Sequence, residues 1–254
     1  MDKLNMIYAT EDPDYRSSSI KFGICMATYM RRNGKSPFYL KRSLNLIKNQ
    51  TGTNWHVYLV GDRYTNNDEF ESCLVDFPKD KLTYINLPVA MERDNMPKNI
   101  NLWKVGGSNA FNHAHQMALN DNCDYILHYD DDDLYHPKKI QILNYVLSLY
   151  PDASCLFHYS THVNRQRLPK ENYTTITKVR PNLYNVIHSS LCIHKSIIKD
   201  FKFDGYAPDK IEYDCGDHQC INFLHDKLNT DPIKYSVFIP VLLCIHEVEC
   251  EALR

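Results

Sequence analysis

The feature that most narrows the fold is a run of four carboxylates, Asp130-Asp131-Asp132-Asp133. It lies between an apolar strand, Tyr125 to Tyr129, and a helix opened by Pro137. Charge runs are ordinarily solvated loops, because adjacent like charges repel. This run instead leaves a buried strand and meets a helix at once. That places it at the carboxyl end of a strand in a parallel sheet, where open α/β sheets bind ligands. A divalent cation would relieve the repulsion. Oxygen ligands suit Mg²⁺ or Mn²⁺, held by one or two carboxylates together with substrate phosphates. An EF-hand is excluded, since the run has no turn Gly and no closing Glu.

The rest of the chain alternates in the way a parallel sheet requires. Ile20 to Thr28 reads as a buried strand. Ser36 is placed to cap a helix with Pro37 at its first position. Leu40, Leu44 and Ile47 form its core stripe, and Thr51-Gly52 its end. Strands follow at Trp55 to Val60 and Leu82 to Leu87, with a helix at Asp68 to Val75 between them. A polar connection through Arg93, Asn95 and Lys98 leads to Gly106-Gly107-Ser108, which opens a helix with Phe111, Ala114 and Ala118 on one face. The Pro137 helix turns Ile140, Leu143, Leu147 and Tyr150 inward and stops at Pro151. Beyond Ser154 the texture is α+β: strands at Cys155 to Tyr159, Val186 to His194 and Val237 to Ile245, and a helix at Asp217 to Leu228. The fold class is therefore α/β, a mostly parallel sheet flanked by helices with a less regular second half. One domain is expected over 1–254, with a polar lead-in at 1–19.

Composition removes several function classes. Lys and Arg number 29 against 31 Asp and Glu, a net charge of −2, which argues against nucleic acid as a partner. A membrane span needs roughly 20 consecutive apolar residues. The best stretch, Val237 to Ile245, is short and broken by Pro240, and Met1 to Ser19 has no apolar block of a signal peptide. Nine cysteines without a Cys-x-x-Cys pair read as reduced thiols of a cytoplasmic protein. Cys215, His218 and Cys220 cluster, but match no common zinc spacing. The Asn- and Lys-rich texture suits a viral or bacterial source.

The segment from Tyr125 to Pro137 resembles the DxD region of family 2 glycosyltransferases, enzymes of GT-A fold that use nucleotide-diphosphate sugars. Three further pieces agree in order. Ala27-Thr28-Tyr29 is similar to the end of the family's first strand, and Val60-Gly61-Asp62 to the strand whose aspartate meets the nucleobase. Gly107-Ser108-Asn109-Ala110-Phe111-Asn112 is similar to the Ala-x-Asn helix before the DxD. The likeness covers Ile20 to Pro137 well and the remainder loosely. The family's Asp-Asp-Gly-Ser is here Gly61-Asp62-Arg63-Tyr64, and the arginine before the Asn helix is absent, with Lys104 and Arg93 as stand-ins.

The resemblance implies a donor-binding half at 20–137 and an acceptor half at 138–254. Thr28 and Asp62 would line the nucleoside pocket, with Lys104, Asn109 and Asn112 on the donor side. Asp132 would hold Mn²⁺ or Mg²⁺, with Asp130 and His246 as further ligands. Asp130 or Asp131 would face the ribose. In the second half Glu212, Asp214 and Asp217 surround Gly216 before a helix. Asp217 is the first choice for general base and Asp214 the second, while simple N-capping is the plain alternative. The acceptor hydroxyl belongs to a glycan or a lipid- or protein-linked acceptor, and the displacement inverts the anomeric centre. A basic loop, His162 to Asn185, carries Arg165, Arg167, Lys170, Lys178 and Arg180 and would cover an anionic acceptor or simply be solvated. A sugar-phosphate nucleotidyltransferase would need a Gly-rich loop after the first strand, where only Gly34 stands. A non-catalytic nucleotide- or carbohydrate-binding module is the other alternative.

Overall fold

Nearly continuous apolar residues make Phe22–Thr28 (β1) a central strand with both faces covered. The computed structural model describes residues 19–52, 54–162, 166–181 and 186–247. The lead-in at 1–18, Arg165, the Asn185 end of the basic loop and Cys250 lie outside them. Around β1 the chain lays down helix Ser36–Lys48 (α1), strand Trp55–Gly61 (β2), helix Asn67–Ser72 (α2) and strand Leu82–Asn86 (β3). Two short helices follow, Met91–Asn95 (α3) and Ile100–Val105 (α4), then helix Ser108–Asn120 (α5), strand Tyr125–Asp130 (β4) and Leu134–Tyr135 (β5). Helix Lys139–Leu149 (α6) leads to strands Cys155–His162 (β6), Gln166–Leu168 (β7) and Thr177–Lys178 (β8). Strand Leu191–His194 (β9), helix Lys195–Ile198 (α7), helix Gly216–Thr230 (α8) and strand Ser236–Ile245 (β10) complete it.

The strands form one sheet in the order β3-β2-β1-β4-β9-β6-β10-β5, with β7 on β6 and β8 on β10. The longer pairings, β2–β3, β1–β2, β1–β4 and β6–β10, are parallel. β9 runs antiparallel to both β4 and β6 and joins the two parallel blocks. Side chains alternate across β1: Phe22, Ile24 and Met26 pack with Leu40, Leu44 and Ile47 of α1 and Ile140 and Leu143 of α6. Cys25 faces the other layer, with Ala110, Ala114 and Ala118 of α5 and Ile221 and Leu224 of α8. In-register parallel pairing sets Thr28 against Gly61 and Ala27 against Asp130, so three strand ends open on one edge.

Several local expectations are corrected. Ser36 does not cap α1: Lys35 holds that position, and the Ser36 hydroxyl accepts from the Arg31 N–H at 2.6 Å. The helix ends at Asn49 rather than Gly52, and α6 starts two residues beyond Pro137. Only Leu191–His194 of the 186–194 segment is strand, because His188–Ser190 form a 3₁₀ turn. The polar connection before α5 holds the helices α3 and α4, and the basic loop holds β7 and β8. Pro240 is accommodated in β10 by register shifts between Ile239 and Cys244, since it has no N–H for the ladder.

Gly52 has a packing role in place of the capping one. A Cβ there would lie 2.4 Å from Cγ2 of buried Ile140 and 3.2 Å from the Gln141 main-chain nitrogen. Gly52→Ala should therefore cost about 1–3 kcal/mol through overpacking. Gly34→Ala meets only open space but must hold φ +71°, at about 1 kcal/mol. Thermal denaturation of both variants checks the order; Gly52→Ala melting with the wild type would contradict this packing.

Candidate active site

The acidic turn leaves β4 at the sheet's open edge, and each carboxylate there has a partner in the chain. Asp131 is buried and takes a bidentate pair from Arg31, Nη1 at 2.8 Å and Nη2 at 2.6 Å, plus the Thr28 hydroxyl at 2.5 Å. Arg31 Nη2 also reaches Asp132 Oδ2 at 3.0 Å. Asp133 is fully buried and lies 2.7 Å from His246 Nδ1. Asp130 accepts from Ser189 Oγ at 3.1 Å and from His188 Nε2 at 3.2 Å. The turn's main chain is pinned from α1: Ser43 Oγ donates to the Asp131 carbonyl at 2.7 Å, and Arg42 donates to the Asp132 carbonyl.

His188 is the centre that the sequence reading missed. Its main-chain N–H and Nδ1 both meet Asp217 Oδ1, at 2.6 and 2.7 Å, while Nε2 meets Asp130. Burial alone would depress this imidazole, but Asp130 and Asp217 outweigh it and hold the pKa well above the usual histidine range. His188 is thus an imidazolium bridging two carboxylates. Burial would raise Asp130 and Asp217, yet the same contact pulls both below the ordinary carboxylate value. The only signal in the sequence is a polar triplet, His188-Ser189-Ser190, abutting an apolar strand. The antiparallel register of β9 on β4 carries that triplet to the level of Asp130.

A second missed residue lies behind the turn. Lys139 is fully buried, donates to the Ser189 carbonyl at 2.9 Å, and sits 4.4 Å from the Tyr129 ring centroid. Burial lowers its pKa to about 8. It ties the 188–190 turn to α6 and lends positive charge beneath Asp133.

Two cavities of about 180 Å³ each open here and share Trp103, Gly106, Phe111, Asp130 and His246. The first is lined by Thr28, Asp62, Asp131 and Asp132, with Tyr29, Arg31 and Arg93. Asp62 is buried, and its Oδ2 accepts from Arg93 Nε at 2.9 Å. Its Oδ1 is buried with no hydrogen-bond partner among the described residues, and burial raises its pKa against the pull of Arg93. The Arg93 guanidinium carbon lies over Tyr29, 3.6 Å from the ring centroid. The second cavity is lined by Lys104, His188 and Asp217.

Other candidates fall outside both cavities. Asp214 is exposed, and its carbonyl accepts from Gln219 Nε2 at 2.7 Å. The Asn112 side chain is occupied by both main-chain groups of Phe203, at 2.9 and 2.8 Å. The Asn109 N–H donates to buried Glu92 at 3.1 Å, and neither asparagine lines the cavities. Of the basic loop, Arg167 lies over Tyr159, Lys178 over Tyr235, and Arg180 bonds Asn229 and the Leu228 carbonyl. These described cations pack on their own half and do not cover the cavities.

The donor set fits a divalent cation. Asp130, Asp133 and His246 each offer a ligand atom within 4.8 Å of the others. Burial and the neighbouring Asp131 push Asp132 up to about 8, despite Arg31. Five carboxylates, Asp130 to Asp133 and Asp217, meet three cationic partners, Arg31, His188 and His246.

His246 sets a pH dependence. Burial would lower its pKa, but Asp133 raises it to about 9. A histidine with a raised folded pKa adds stability that is fully present below its unfolded value, about 6.5, and is lost as pH rises through the folded one. In chelator, the stability gap between wild type and His246→Gln should narrow from about pH 6 to about pH 10. Thermal melts across that range check it; a gap constant with pH would rule out the ion pair.

No family model matches the chain. It is 31% identical over 242 residues to an uncharacterized glycosyltransferase, R139, of Acanthamoeba polyphaga mimivirus, covering 92% of this chain and 96% of that protein. In structure it is similar to S. aureus TarS 1–349 in complex with UDP, with a TM-score of 0.65 at 15% identity over 92% of this chain. The complex of TarS 1–349 with UDP-GlcNAc gives a TM-score of 0.64, also at 15% identity and over 92% of this chain. The chain spans 62% of the TarS 1–349 chain with UDP and 60% of that with UDP-GlcNAc. Among the described residues no helix is long and apolar enough to cross a membrane. The mimivirus likeness sets aside the nucleotidyltransferase and binding-module alternatives: the chain belongs to the glycosyltransferases.

Proposed function

We propose that the chain moves a sugar from a nucleotide-diphosphate sugar to an acceptor hydroxyl, with inversion at the anomeric carbon. One observation carries this reading: two cavities meet at Asp130 and His246, one lined by Thr28 and Asp62 and the other by Asp217. The first takes the nucleotide. Asp62 has an unpaired buried oxygen for a nucleobase N–H, and Tyr29 offers a ring beside it. UDP-GlcNAc is the first donor to test, because the fold is that of a protein crystallised with it.

The cation is assigned to Asp130, Asp132 and His246, all lining the first cavity. Asp133, fully buried against His246 Nδ1, orients that imidazole, the role an outer carboxylate plays behind a metal-bound histidine. When bound, such an ion supplies Lewis-acid stabilisation of the charge developing on the diphosphate. The acceptor oxygen attacks the anomeric carbon from the second cavity, the bond to the diphosphate oxygen breaks, and the acceptor proton passes to Asp217. His188 makes both its bonds to Asp217 Oδ1, so Oδ2 is the oxygen assigned that proton. Through Nε2 the same imidazolium holds Asp130, which keeps base and cation site at a set distance.

The outcomes divide by variant. Asp217→Asn should cut turnover about 10²–10⁴-fold while nucleotide-sugar binding, read as a thermal shift, persists. Asp132→Asn should lose the Mn²⁺-dependent part of that shift. Turnover retained in Asp217→Asn would move the base elsewhere, and an Mn²⁺ response surviving in Asp132→Asn would move the cation to the Asp130, Asp133 and His246 group.

A further inference from the structure

The two cavities share one large aromatic side chain that the proposed mechanism leaves unused. Trp103, on α4, lines both of them and is 46% exposed. The chain's other tryptophan, Trp55, is buried, with its indole N–H bonded to the Gly52 carbonyl. A half-solvated indole at the mouth of a cleft leaves apolar area in water that a ligand would cover. One neighbour extends the same face. Ile100, one turn earlier on the same helix, is half exposed.

Resting on the reading above, we propose that Trp103 is the stacking platform for the acceptor, and that the acceptor is a carbohydrate presenting a pyranose ring. A pyranose has an apolar face of C–H groups and a rim of hydroxyls. The second cavity is lined by that pairing, the Trp103 indole for the apolar face and Asp217 and His188 for the hydroxyl rim. An alkyl acceptor would gain nothing from these charged groups, and a serine or threonine hydroxyl would leave the indole uncovered. The nucleobase is served in the first cavity by Tyr29 and Asp62, neither of which lines the second. Trp103 instead belongs to the rim between donor and base, where the acceptor ring must stand for its hydroxyl to reach Asp217.

The test uses tryptophan emission and a kinetic ratio. Subtracting the Trp103→Phe spectrum from wild type isolates Trp103 from Trp55. With UDP and Mn²⁺ present, methyl gluco-, galacto- and N-acetylglucosaminopyranosides should shift this emission saturably. Sorbitol, which carries hydroxyls but no ring, should not. With whichever nucleotide sugar the wild type hydrolyses, Trp103→Ala should raise the acceptor KM about tenfold and lower the ratio of transfer to hydrolysis. Trp103→Phe should restore part of both. An indole that answers to UDP alone and to no pyranoside, or an unchanged acceptor KM in Trp103→Ala, overturns the assignment. Donor hydrolysis in the wild type with Trp103 silent to every sugar removes only this platform. Absence of any nucleotide-sugar hydrolysis removes the reading of the site and this inference with it.

Discussion

The bidentate pairing of Arg31 with Asp131 is the contact on which the site's geometry rests. Both groups are buried. Burying two charges costs several kcal/mol per ion, and breaking such a pair typically destabilises by about 3–5 kcal/mol. Further contacts offset that cost: Thr28 adds a third hydrogen bond to Asp131, and Tyr29 and Tyr39 lie against the guanidinium, whose Nε has no hydrogen-bond partner among the described residues. Charge compensation from inside the chain lets four carboxylates stand in a row. A cation in the cleft would add to the compensation that Arg31, His188 and Lys139 already supply.

That division of labour separates architecture from chemistry along the acidic run. Asp131, paired with Arg31 at the cavity wall, and Asp133, fully buried against His246, lock the turn. Asp130 and Asp132 line the cleft. The division follows from which residues of other elements meet each carboxylate: Arg31 and Thr28 at Asp131, His246 at Asp133. It explains why a run that looks uniform in sequence carries different roles, and why Asp132, with the least compensation, is pushed up to about 8.

The bridge from Asp130 through His188 to Asp217 joins residues 130, 188 and 217, and only the sheet makes them neighbours. β9 enters antiparallel between two parallel blocks, so its start, not its end, reaches the carboxyl edge of β4. A parallel β9 would have carried His188 to the opposite edge. The aspartates, Asp62 and Thr28 were legible because they follow apolar strands directly. His188 and Lys139 were not, because a histidine before a strand and a lysine at a helix start look like ordinary solvated residues. The asparagines of α5 misled in another way: their helix position was right, but Asn112 turns to the Phe203 main chain.

Sequence alone determined the layered α/β plan, since strand and helix periods alternate through the first half and permit little else. It also placed an acidic turn at a strand's carboxyl end, because local chain order dictates that without knowledge of neighbours. Tertiary structure decided which carboxylate faces the cleft, which histidine links it to the base, and which of two tryptophans stands at the mouth. Those depend on register between strands far apart in the chain, and no local pattern encodes a register.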